Sequence, residues 1–165
     1  MILSYQVSVP EWLPFFSNNH KLNQNINIMK NITNIVAGLL GLVFLVFGLN
    51  FFLHFLPMPT PPEGSLAIPF FQATAGSGFL AFVKVFEIVG AFLVAFPQTR
   101  TWGVLILMPI ILNILAFNLF IVGGLAVFQP PVVLVTALGA YLLWADWSKY
   151  QSLLNSTQHK EAYAS

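Results

Sequence analysis

The chain has 165 residues, of which 58% are hydrophobic and only 7% charged, with a net charge of +1 and a mean hydropathy of +0.82. So much apolar surface cannot be hidden in a water-soluble domain of this size, which makes lipid the expected solvent. The charge leaves no footprint for nucleic acid. With no cysteine, disulfides, thiolate nucleophiles, iron–sulfur clusters and cysteine-ligated zinc are excluded; His20, His54 and His159 are too scattered for a metal motif, so no metal site is expected.

Residues 1–30 are polar and rich in Asn, with an apolar patch only around Trp12 to Phe16, and they lack the parts of a signal peptide. They read as a cytoplasmic tail or an over-long reading frame, since Met29-Lys30 stands where a natural start would. The alternative is an interfacial segment in which Trp12, Leu13, Phe15 and Phe16 dip among lipid headgroups.

Residues 31–148 carry the membrane domain. Ile32 to Phe55 is long enough for one span, at about 1.5 Å per residue across roughly 30 Å of hydrocarbon. Gly78 to Phe96 supplies a second span, Trp102 to Val122 a third, and Pro131 to Trp147 a fourth. The proline-rich loop PMPTPPEG, the turn PQTR and the segment GGLAVFQPP fall between them, all of turn and breaker composition. The expected fold is all-α, an integral membrane antiparallel four-helix bundle, followed by a short cytoplasmic tail over 149–165. Pro109 is expected to kink the third span. Gly38, Gly41 and Gly48 on the first are expected to allow close helix packing.

Lys21 and Lys30 precede the first span, Arg100 lies between the second and third, and Lys149 and Lys160 follow the fourth, while the other two loops have no Lys or Arg. The positive-inside rule then places both termini and the 97–101 turn in the cytoplasm, with the other loops facing the periplasm of a bacterial inner membrane. Trp102, Trp144 and Trp147 read as anchors at the cytoplasmic interface, and Asp146 as a solvated end residue there.

With that orientation, depth can be assigned to the polar residues within the spans. Lys84 and Glu87 stand three apart on the second span, close enough to pair and so to lower the cost of charge in hydrocarbon. Asn50 and His54 of the first span, and Asn113 and Asn118 of the third, fall in the same outer-to-middle layer. The economical arrangement gathers Asn50, His54, Lys84, Glu87, Asn113 and Asn118 into one polar pocket opening outward. The competing reading is that the amides tie helices together with no ligand involved.

The blocks GLVFLVFGLNFFLHFLPMP, VKVFEIVGAFLVAF and PIILNILAFNLF, in this order across residues 35–147, resemble the DoxX family of small four-helix membrane proteins. The resemblance singles out Asn50, His54, Lys84, Glu87, Gly90 and Asn113. Many relatives have a histidine where this chain has Asn118, so a titratable group of the family is missing here, and residues 1–28 have no counterpart. What the resemblance implies is a subunit associated with a membrane oxidoreductase or respiratory complex. Such a subunit would have no intrinsic cofactor and would hold a quinone or another small molecule, with Lys84 and Glu87 orienting its head group. The second function class is a structural or assembly subunit with no catalytic role, in which the charged pair only fixes helix register. A transporter fits less well, because one polar cluster without an inverted repeat offers little for alternating access.

Overall fold

The computed structural model describes residues 13–57 and 60–152, and these are helical or irregular with no strand among them. The chain groups into two units, one ending at Thr33 and the other beginning at Asn34. Helix α1 runs from Leu13 to Leu53, so residues 13–28 are helical where composition suggested a tail; Trp12 and the residues before it lie outside the described residues. In the first unit the Thr33 hydroxyl donates back to the Met29 carbonyl at 2.9 Å.

The second unit continues with α2 (Ala67–Gly76), α3 (Phe79–Ala95), α4 (Arg100–Phe117) and α5 (Pro130–Ala145). Helix α4 passes through Pro109 and runs on into a single π-helical turn, Asn118–Val122, before a short 3-10 segment at Gly124–Phe128. Among the described residues two helical stretches are long and apolar enough to cross a membrane, Asn27–Leu53 with 27 residues and Arg100–Val122 with 23. A third span is available if α2 and α3 count together, although they meet at a bend of 82°. Helix α5 is apolar but has 16 residues, a rise of about 24 Å. Helix α2 occupies a stretch to which the sequence reading assigned no element.

Local chemistry explains where the helices stop and start. Pro130 and Pro131 fill the first turn of α5, where a missing N–H costs nothing, and Gln129 enters it in extended conformation. Gly78 starts α3 with φ 77°, a left-handed backbone that a side chain would strain. Between α3 and α4, the Thr99 hydroxyl donates to the Leu93 carbonyl at 2.8 Å and satisfies one of the acceptors freed at the helix end.

The core of the second unit is a dry stack of Leu40 from α1, Val94 from α3, Val104, Leu107 and Ile111 from α4, and Leu142 from α5, each at most 1% exposed. Small residues set how closely these helices approach. A Cβ on Gly103 would overlap the backbone of Leu93 and Val94, and one on Gly41 would sit 2.8 Å from the Ala91 carbonyl oxygen. Gly48 likewise meets Ile88 of α3, whereas Gly38 has nothing within 4 Å, so the packing role expected of three glycines falls to two. The opposite faces are strongly apolar and exposed, including Phe82, Phe92, Trp102, Leu112 and Trp144. Helices apolar on both faces are suited to lipid or to a large apolar partner.

Candidate functional site

Lys84 and Glu87 lie one turn apart on α3, and the ammonium donates to both carboxylate oxygens, at 2.9 and 2.8 Å. The Glu87 side chain is 4% exposed and that of Lys84 is 17%. Their pairing is complete within one helix, so neither charge needs a partner from a neighbour. The two form the polar wall of a cleft of about 240 Å³. Its other walls are apolar: Val43, Phe44 and Phe47 of α1, Ile114 of α4, and Pro131, Val132 and Val135 of α5. Gly90, one turn further along α3, serves packing, since a Cβ there would meet the Leu107 side chain at 2.7 Å.

The other residues expected in a shared pocket do not join this pair. Asn50 is buried, at 1% exposure, but its amide is spent on its own chain: Oδ1 accepts from the Leu56 N–H at 2.6 Å and Nδ2 donates to the Leu56 carbonyl at 3.2 Å. It thereby closes the end of α1. His54 is exposed and serves the same closure, with φ 53° and its N–H donating to the Asn50 carbonyl. A left-handed backbone is uncommon outside glycine, though His tolerates it better than most residues. Asn113 is exposed on α4. Asn118 is buried, and it donates to the Ile114 carbonyl one turn back at 2.8 Å, beside the π-helical turn. In place of the expected convergence, Asn50 and Asn118 bond locally while His54 and Asn113 are exposed, and the site reduces to one ion pair in an apolar cleft.

A second polar group, which the sequence reading did not find, lies at the other end of the unit. Arg100 at the start of α4, Asp146 just after α5, and Tyr150 in the following helical turn are buried. Arg100 Nη2 donates to Asn34 Oδ1 at 2.7 Å, joining α4 to α1. Asp146 pairs with Lys149 at 2.6 Å, so it is not the solvated end residue that its position suggested. Burial, and secondarily the Asp146 carboxylate, push the Tyr150 phenol up to about 12, against the opposing effect of Arg100. The signal was present in the spacing: Leu142, Asp146 and Tyr150 repeat every four residues, on the stripe that also carries Val135 and Gly139. Trp102, Trp144 and Trp147 are exposed on the outside of this end.

Among the described residues no three of His, Asp and Glu come together in a way that would hold a metal ion. No family model matches the chain, and no solved structure matches it. The chain is similar to the uncharacterized protein YwoB of Bacillus subtilis (strain 168), with 29% identity over 124 residues, covering 67% of this chain and 77% of that protein.

Proposed function

We propose that the chain is a DoxX-like protein of the bacterial inner membrane, a four-helix antiparallel bundle with both termini cytoplasmic. In this reading it binds a small amphiphilic molecule with a quinone-type head group, as a subunit of a membrane oxidoreductase system. The observation that carries the reading is the ion pair set into the wall of an otherwise apolar cleft. Charge in apolar surroundings is costly, so a pair set at an opening keeps part of its hydration and, at the same time, presents polar atoms to whatever enters the cleft. Here the partly exposed ammonium keeps a third N–H beyond the two given to Glu87, and that donor suits a ring carbonyl. The carboxylate can accept from the hydroxyl of the reduced ring. Phe44 and Phe47 offer apolar surface for the ring itself.

Size narrows the ligand. At about 240 Å³ the cleft lies below the roughly 300–1,000 Å³ of sites that enclose a drug-sized molecule. It suits one ring, with any isoprenoid tail lying outside along the helices. The chain supplies binding and orientation, and any electrons would come from a partner.

The second reading, a structural subunit, draws on the broad exposed apolar faces of α3 and α4, which would suit a larger complex. One purification separates the two. The protein extracted in mild detergent is expected to carry quinone near stoichiometrically, and the Lys84→Leu/Glu87→Leu double variant to lose it while retaining its melting temperature. Wild-type protein free of quinone, and unable to take up added quinone, would overturn the binding reading; a stoichiometric heavy partner in that same sample would favour the structural one.

A further inference from the structure

The cleft makes no use of the polar group around Arg100. Its residues are 4% (Arg100), 6% (Asp146) and 7% (Tyr150) exposed, yet one atom of each is left over: Arg100 Nε, Asp146 Oδ2 and Tyr150 Oη are buried and make no hydrogen bond among the described residues. An unsatisfied buried polar atom costs about 1–3 kcal/mol, and more when charged, so three of them demand an explanation. The residues that carry them are neighbours, since the Asp146 carboxylate and the Arg100 guanidinium both act on the Tyr150 phenol. Asp146 and Tyr150 lie one turn apart, and Tyr150 packs in the same core as Ala37 and Val104. Ala37 is one turn from Asn34, and Val104 one turn from Arg100, the two residues bonded to each other across α1 and α4.

The chemistry of the three atoms selects a ligand. Arg100 Nε can only donate, Asp146 Oδ2 can only accept, and Tyr150 Oη can do both. An anion would meet the free carboxylate oxygen, a cation would meet the guanidinium, and an apolar molecule would satisfy none of them. A neutral molecule that both donates and accepts satisfies all three. We infer that Arg100, Asp146 and Tyr150 hold an ordered water at the Arg100 end of the bundle, which bridges α4 to the end of α5. Water of this kind typically makes about three hydrogen bonds, the number of atoms left over here. Asn34, exposed on α1 and bonded to Arg100, marks the edge by which it enters.

The test is X-ray radiolytic labelling of the full-length protein in detergent, where bound water generates hydroxyl radical in place and marks the side chain beside it. Tyr150 is expected to be labelled at a rate like that of exposed Trp144, and far faster than fully buried Leu107 of the dry stack once each rate is divided by the intrinsic reactivity of its side chain. Asp146→Asn keeps a group that can bond the water and should retain the labelling. Asp146→Leu removes that group and should reduce it several-fold. Labelling of Tyr150 no faster on that scale than Leu107 would overturn the inference, including the case in which Arg100 and Asp146 simply pair directly. Fast hydrogen exchange at the Leu142 and Leu143 amides in the same sample would also overturn it, because labelling would then report local opening.

Discussion

The ion pair on α3 and the group around Arg100 use similar charges in opposite ways. Lys84 and Glu87 complete each other within one helix turn, which leaves the neighbouring helices free to stand back and form a cleft. Arg100 reaches across to Asn34 of α1, and Asp146 and Tyr150 approach from beyond α5, so that group ties elements together. Polar residues that satisfy themselves locally make room for something else to bind, whereas those that reach outward hold the fold. Between the two lies the apolar stack, which along α4 separates Arg100 from Ile114 by about 21 Å.

Breaking the self-contained pair should have the largest effect. Glu87→Ala strands the Lys84 ammonium in the cleft wall and should cost about 3–5 kcal/mol, seen as a lowered melting temperature and poor accumulation in the membrane. The double Lys84→Leu/Glu87→Leu change should recover most of that loss; equal destabilisation by the single and double variants would show that the two charges are not coupled. Arg100→Leu should come next, at about 1.5–3 kcal/mol for a lost bond to a charged group, with quinone retention unchanged. If it instead emptied the cleft, the two regions would be communicating. Asn50→Ala removes both bonds to Leu56 and should cost about 1–3 kcal/mol by thermal unfolding, again without loss of ligand. The smallest effect belongs to Asn113→Leu. An exposed amide has no bond to another helix to lose and gains nothing from lipid, so the change should leave the melting temperature level or slightly raised and the quinone content intact. A clear loss of quinone there would return Asn113 to the site.

The helical stretches were readable because a long apolar run bounded by Pro and Gly has few other interpretations: α3, α4 and α5 fall close to the expected runs, whereas α1 ends near its expected end but starts at Leu13, well before Ile32. Helix α2 was not readable, because a ten-residue helix with Pro69 in its first turn resembles a loop in composition. In the site, position along the helix was legible and rotation was not. Asn113 stands next to cleft-lining Ile114 in α4, but each residue turns a helix by about 100°, so it faces about 200° away from buried Ile111. Asn50 shows a different limit: its amide bonds to a backbone six residues on, a choice that no side-chain pattern encodes. Lys84 and Glu87 were legible because charge in an apolar helix must be answered within reach, and the nearest answer was one turn away.

The dry stack of Leu40, Val94, Val104, Leu107, Ile111 and Leu142 has an electrical consequence in the proposed bundle. Membrane voltage drops where there is neither water nor mobile charge, and six side chains at most 1% exposed form such a layer. Each elementary charge carried across the full drop is worth about 2.3 kcal/mol per 100 mV. The ion pair and the group around Arg100 sit on opposite sides of that layer, so each feels the potential of its own side. A ligand that gains or loses a proton beside Glu87 would exchange it with the water on the cleft's own side of the layer, and its equilibrium would be nearly indifferent to the voltage across the membrane.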